Sequence, residues 1–571
     1  MTKSLPRLLG LLLLGLLQGC DSDGDRDQNP EELIREITIV SSAPNDGTAS
    51  LTTTLTATLY LPKEHRRGLR YPVIIHSHGW GGSRISSTEF QNLKPATAAS
   101  TLDYVSQIDS QLVALREAGY AVISYDQRGF GRGGDDGDEG SDGGSHGMSP
   151  DFEIEDAKAV VDWAASNLNL IEDAAGDPRV GLLGSSYGGA FQVMLAAEDP
   201  RIDAIVPSIT WYNLRDSFAP NTVLKKAWLI AICNKIVDED GAELSVEMEA
   251  ACTQVRVSFN RELADAPVTE SLFFDNSLAS YFADPGFSMP KVDALILQGV
   301  RDTLFPLNEG IQLFNQLSTG GGDVRLLAHE SGHGGVRSGS GSQGPIGQAY
   351  CGKLDAITVL RRWFDEKLYR RNGVPIPRIC AALDNRQSVQ VESLTPATGE
   401  FSVSIPPLTT VLGSAHNNVA SATGEALFIS GVTVTRSNQV LLGTPVAQLL
   451  VQAGPGNLDP TPTSGLNAAA VFIGIGIERE GTVFLVDDQI QPILSTDERA
   501  NGTPAPIDLV AVAEKLEAGD KVGVLLYGKH DLYENHPIGS SSTGTNWQNN
   551  VATLLGRVDL PIATMTDIIT R

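Results

Sequence analysis

Residues 179–197, RVGLLGSSYGGAFQVMLAA, carry the most informative pattern in the chain. An apolar run of strand formers breaks at Gly184-Ser185-Ser186-Tyr187-Gly188-Gly189, and helix formers follow. That is the layout of a nucleophile elbow, a sharp strand-to-helix turn that lifts one serine hydroxyl above the edge of a parallel sheet. Glycines on either side leave room for the turn, because side chains there would collide with neighbouring backbone. The amide-rich start of the helix then faces the site, where it can stabilise developing negative charge. Ser186 is therefore the candidate nucleophile. A second match to G-x-S-x-G, Gly143-Gly144-Ser145-His146-Gly147, lies in a Gly/Asp-rich run with no strand before it, so Ser145 is set aside.

The surrounding pattern alternates. VIIHSHG (73–79) reads as a strand, 102–118 as a helix and AVISYD (121–126) as a strand. The helix FEIEDAKAVVDWAASNL leads into the elbow strand, and strands follow from 201, 292 and 323 before a helix at about 350–371. Near-continuous apolar strands alternating with helices predict an α/β class: a parallel sheet covered on both faces, of the α/β-hydrolase type. EITIVSS and LTTTLTATLYLP should form an antiparallel pair ahead of it. The connection at about 208–290 is too long for a loop and carries helical patterns, so it is expected to be a helical cap over the site. After about 385, short apolar segments separated by Gly, Pro, Asn and Asp predict an all-β jelly roll to residue 571. The expected hydrolase domain is 35–380.

A serine needs a base, and the base needs a carboxylate to orient it; in this fold they follow the nucleophile as acid, then histidine. Asp302 lies just past the strand VDALILQG, whereas Asp293 precedes it and so lies at the wrong edge. His333 sits in a glycine-flanked loop that can swing toward Ser186, whereas His329 nearly continues its strand; Asp302 and His333 complete the candidate triad. The Tyr187 amide should supply one oxyanion donor and the Trp80 amide, in His78-Gly79-Trp80-Gly81-Gly82, the other. His76 and His78 are read as structural. The match of Gly129–Gly134 to a dinucleotide fingerprint is rejected, because Asp135, Asp136, Asp138 and Glu139 follow and would repel a pyrophosphate. That acidic loop (135–142) is read as solvated, with calcium binding left open. No metal site and no cofactor are expected.

The pattern Gly-x-Ser-Tyr-Gly-Gly, the segment Tyr125-Asp126-Gln127-Arg128-Gly129-Phe130-Gly131, the strand preceding Asp302 and the trailing β-domain together resemble the Xaa-Pro dipeptidyl-peptidase and cocaine-esterase family of α/β-hydrolases. The resemblance implies a Ser186–Asp302–His333 triad, an acyl-enzyme, a noncatalytic jelly roll and a substrate that is a peptide after proline, an ester or an amide. Many members draw an oxyanion donor from a tyrosine hydroxyl after the first core strand; HGWGG has none, which points to an esterase-like hole. No acidic pair to clamp a substrate amine is identifiable, so a carboxylesterase of small acyl esters is the alternative. From another class, an inert surface-binding lipoprotein is the rival.

Formal charge is −27, from 69 acidic against 42 Lys and Arg residues, and there is no basic stripe to bind nucleic acid. Lys3 and Arg7 precede the apolar run Leu8–Leu17, which ends in Leu17-Gln18-Gly19-Cys20. This resembles a lipoprotein signal (1–19) with lipidation at Cys20 and a polar tether over 20–34, so the chain is expected to be exported and anchored facing the periplasm or exterior. Its contact with a membrane would then be the anchor alone. The remaining Cys233, Cys252, Cys351 and Cys380 suggest sequence-local disulfides, Cys233 with Cys252 and Cys351 with Cys380.

Overall fold

The computed structural model describes residues 33–45, 51–92, 104–131, 140–238, 242–257, 272–273, 275–283, 289–333, 350–351, 354–383, 387–411, 414–415, 426–454, 469–530, 532–533 and 551–570. The expected signal, the Cys20 lipidation site and nearly all of the tether lie outside these residues, as does most of the acidic loop.

The first layer is one large sheet. Its strands are β1 (Ile34–Ser41), β2 (Thr53–Tyr60), β3 (Val73–Ser77), β4 (Ala121–Tyr125), β5 (Val180–Ser185), β6 (Ile202–Ser208), β7 (Asp293–Gly299), β8 (Val324–His329), β9 (Ile379–Leu383) and β10 (Gln387–Val391). They lie in the order β1-β2-β4-β3-β5-β6-β7-β8-β9-β10, and a short strand at Ile569–Thr570 closes the far edge. β1, β2 and β4 pair antiparallel, whereas β4, β3 and β5 to β9 run parallel. The parallel strands are apolar on both faces: Val73 and Ile75 point into one core, and Ile74 between them points into the other. Helices Glu155–Asn167, Tyr187–Glu198 and Leu307–Ser318 cover the first face, and Tyr104–Glu117 and Ala356–Lys367 cover the second. Such two-sided burial is why these strands read as unbroken hydrophobic runs.

The 208–290 connection carries helices Leu214–Phe218, Lys226–Asp238, Val246–Val257 and Leu278–Ala283, with Cys233 bonded to Cys252 between the middle two. Cys351 is bonded to Cys380, on β9. The expected boundary near 385 does not end the sheet: β10 hairpins back on β9, and the chain's last strand pairs with β10. The C-terminal part is thus stitched to the hydrolase sheet by hydrogen bonds at both of its ends.

Among the described residues between those ends, the strands of two packed sheets include β11 (Phe401–Val411), β12 (Leu427–Thr433), β13 (Val446–Ala453), β14 (Ala470–Arg479), β15 (Gln491–Leu494), β16 (Ile507–Asp508), β17 (Lys521–Tyr527) and β18 (Val551–Leu560). One sheet has the order β11-β18-β13-β16, and the other runs β12-β17-β14 with β15 on β14. That interleaving of first with eighth and second with seventh is the jelly-roll order. A separate apolar core, including Ile405, Leu449, Ile475 and Val524, lies between the two sheets.

Candidate active site

β5 ends at Ser185 and the next helix begins at Tyr187, leaving Ser186 between them at φ 56°, ψ −115°. A non-glycine residue there stores about 1–3 kcal/mol of backbone strain. Hydrogen bonds hold it in place: the Ser186 amide donates to Ser208 O (2.8 Å), and its carbonyl accepts from the Gly189 amide (2.8 Å) and Thr210 Oγ1 (3.0 Å). A Cβ on Gly188 would strike the carbonyl oxygen of Ser77, so the elbow packs backbone to backbone against the end of β3.

The structure brings the three expected side chains together. His333 Nε2 lies 2.9 Å from Ser186 Oγ, and His333 Nδ1 lies 2.8 Å from Asp302 Oδ2. Asp302 is fully buried just after β7, and its other oxygen, Oδ1, accepts from the amides of Leu304 and Phe305, both at 2.9 Å. The turn thus aims one carboxylate oxygen at the imidazole and occupies the other. Phe305 and Trp228 stand edge-on to the His333 ring, with centroids 5.1 and 5.7 Å away.

The competing residues are elsewhere. Asp293 begins β7 at the opposite sheet edge and accepts from the Asp323 amide at 2.8 Å. His329 is fully buried against Ser331 Oγ (2.6 Å), and desolvation pushes its pKa down to about 3. His76 bonds Ser124 Oγ at 3.0 Å, and burial likewise lowers it to about 3. His78 Nε2 accepts from the Gln127 amide at 3.1 Å. These imidazoles are framework.

Around the nucleophile, Gly79, Trp80, Ser186 and Tyr187 share one cavity wall with His333. The Tyr187 amide, in the first turn of its helix, has no acceptor within that helix. Trp80 is fixed by its indole, which donates to Ile232 O in the cap (3.1 Å) and stands edge-on to Tyr187 at 5.1 Å. The cavity, of about 540 Å³, is walled by the cap: Trp211, Phe218, Trp228, Leu229, Ile232, Met248, Val255 and Phe273, with Cys233 and Cys252. Among the described residues lining it, none is an aspartate, glutamate, lysine or arginine.

Sequence reasoning passed over several residues that shape this site. Ser145, in the discarded motif, is fully buried with its hydroxyl 2.9 Å from the Tyr187 phenol, which also donates to Glu153 Oε1 (3.1 Å). Glu153 in turn accepts from the amides of His146 (2.7 Å) and Ser149 (2.8 Å). The second G-x-S-x-G thus anchors the residue after the nucleophile, and its loop pairs with the cap through the Ser145 amide to Glu243 O (2.9 Å). A Cβ on Gly129 would strike that same Glu243 carbonyl; the glycine of the false nucleotide fingerprint serves packing. Lys225 and Gln489, behind the Asp302 turn, carried no sequence signal at all.

Residues 46–335 match the family described as X-Pro dipeptidyl-peptidase (S15 family). The chain is 25% identical over 268 residues to an Escherichia coli protein described as an uncharacterized 31.7 kDa protein in the traX-finO intergenic region. That stretch covers 44% of this chain and 80% of the other. Among solved structures, a CocE/NonD family hydrolase from Staphylococcus aureus aligns over 95% of this chain and 99% of its own, with TM-score 0.55 and 13% identity. At that identity the likeness speaks for the fold, and it extends over both parts of the molecule.

Proposed function

The chain belongs to the X-Pro dipeptidyl-peptidase (S15) family of α/β-hydrolases, and from that premise we propose that it cleaves esters, and amides of similar shape, whose acyl side is uncharged and apolar. Ser186 Oγ attacks the carbonyl while His333 Nε2 takes its proton. Asp302 holds the imidazole in orientation and offsets the charge it gains. The amides of Tyr187 and Trp80 receive the oxyanion of the tetrahedral intermediate. As that intermediate collapses, His333 returns the proton to the leaving alcohol or amine, and an acyl group remains on Ser186. Water, deprotonated by the same imidazole, then releases the acid and restores the serine.

The observation that favours an apolar acyl group is the cap-walled cavity, with no carboxylate among its described lining residues to pair with a substrate ammonium. A dipeptidyl-peptidase must recognise that ammonium, and burying it unpaired costs several kcal/mol. Purified protein should be assayed on a panel of p-nitrophenyl esters from acetyl to octanoyl, beside Xaa-Pro anilides with free amines. Each fully buried methylene contributes about 0.8 kcal/mol, so hexanoyl should exceed acetyl in kcat/KM by on the order of a hundredfold. Faster turnover of the Xaa-Pro anilides than of every ester would overturn the ester assignment.

We also propose that the protein is exported and lipid-anchored at Cys20, on the strength of the Lys3/Arg7, Leu8–Leu17 and Leu17–Cys20 pattern. Palmitate labelling in a bacterial host should be lost in Cys20→Ser. Labelling that survives the change, or a wild-type protein that takes up none, rejects the anchor.

A further inference from the structure

The turn that carries Asp302 is gripped from behind by two side chains that belong to neither its strand nor its helix. Gln489, just after the turn Val486–Asp488 in the connection between β14 and β15 of the jelly roll, donates its side-chain amide to Val300 O (2.8 Å) and to Asp302 O (3.1 Å). Lys225, just before the cap helix Lys226–Asp238, donates its ammonium to the next two carbonyls, Thr303 O (2.8 Å) and Leu304 O (3.2 Å). Both donors are at least 95% buried. The carbonyls of Val300, Asp302, Thr303 and Leu304 are therefore held by these two groups, and the amides of Leu304 and Phe305 by Asp302's own Oδ1.

The Gln489 end is built at a cost. Asp487 and Asp488, just before it, both have positive φ, 55° and 59°, each worth about 1–3 kcal/mol of strain. Asp487 is held there by accepting from the Ala513 amide (2.8 Å), and Asp488 faces Arg301, in the Asp302 turn, at 3.4 Å. Gln489 itself closes a tight turn, its backbone N–H donating to Val486 O at 3.1 Å. The kinked segment delivers one planar, two-proton donor to two carbonyls that flank the carboxylate.

We propose that Gln489 is a positioning residue for the acid of the triad: the jelly roll sets the direction in which Asp302 meets His333, and so acts in the chemical step. This rests on the triad reading above. A carboxylate displaced by about an ångström can cost on the order of a hundredfold in rate. Gln489→Met keeps the volume and removes the donor. The variant should be compared with wild type for kcat and KM on the preferred ester, with kcat expressed per site titrated by a fluorophosphonate. The same change should then be made in Asp302→Ala.

The expected result is a ten- to hundredfold fall in kcat per titrated site, KM within about threefold, and no further loss when Gln489→Met is added to Asp302→Ala. A packing role alone would lower the number of titratable sites, leave kcat per site unchanged and act equally in both backgrounds; that result overturns the proposal. If Gln489→Met yields too little folded protein, Gln489→Asn, which withdraws the amide by one methylene, is read by the same criteria. An active Ser186→Ala variant would instead bring down the triad reading, and Gln489 with it.

Discussion

Ser186, held at positive φ, is the proposed nucleophile, and its neighbours show how little freedom the elbow has. Gly188→Ala would drive a methyl into the Ser77 carbonyl, so it should abolish turnover and lower stability by at least about 2 kcal/mol in urea unfolding. A variant with wild-type stability and rate would show that the elbow is looser than the geometry implies. Asp302→Asn should keep the fold and reduce kcat by about 10⁴-fold, because the imidazole loses its orienting acceptor. The three side chains of this set were legible in the sequence because each sits directly past the carboxyl end of an apolar strand, in a fixed chain order. Ser145 is not the serine that meets His333, as the missing strand implied, but its packing role went unread for an instructive reason. Its motif has the letters of an elbow without the strand, yet the hydroxyl lies against the Tyr187 phenol. Composition could not reveal a contact made across 42 residues of chain.

At the level of elements, the cap walls the cavity beside Ser186, and on the proposed reading it selects the acyl group. Helices Lys226–Asp238 and Val246–Val257 form the cavity wall, and the Cys233–Cys252 bond ties one to the other. Replacing both cysteines with serine should free these helices and raise KM for the hexanoyl ester about tenfold, with a smaller effect on acetyl. Equal KM values with and without the bond would show that the wall stands by packing alone. Ala231→Trp, which fills part of the same space, should reduce hexanoyl turnover at least tenfold and spare acetyl, testable in one ester series. The helical nature of the cap was legible from its length and periodicity. Its aromatic lining was not, because Phe273 meets the stretch that carries Trp211 and Phe218 only when a distant segment of the cap folds back. The sheet boundary was missed for a related reason: β10 extends the sheet by a short hairpin from β9, and the edge strand Ile569–Thr570 finds its partner β10 far away in the chain.

For the whole molecule, buried histidines set the acid limit. His76 and His329 are pushed down to about 3, and His530 in the jelly roll to about 4, in each case by desolvation. The unfolded chain binds their protons near pH 6.5, so their stabilising contribution, complete above that pH, is lost as pH falls toward 3–4. Each contributes up to about 1.4 kcal/mol per pH unit in that window. Glu309 works in the opposite sense: burial raises it to about 7, so its contribution is greatest below about 4.5 and fades as pH rises to 7. Urea unfolding from pH 7 to 4.5 should show a net loss on acidification, shallower in His530→Gln and steeper in Glu309→Gln. A flat profile would mean that these groups are not buried in solution. The effects predicted on turnover presuppose a serine enzyme, and labelling with a fluorophosphonate examines that premise at its root. Wild type should gain one adduct, mapped by mass spectrometry to the peptide containing Ser186, with loss of ester hydrolysis in step. Ser186→Ala, equally folded by circular dichroism, should gain none and turn nothing over; an adduct on another serine, or hydrolysis that survives the substitution, would contradict the assignment.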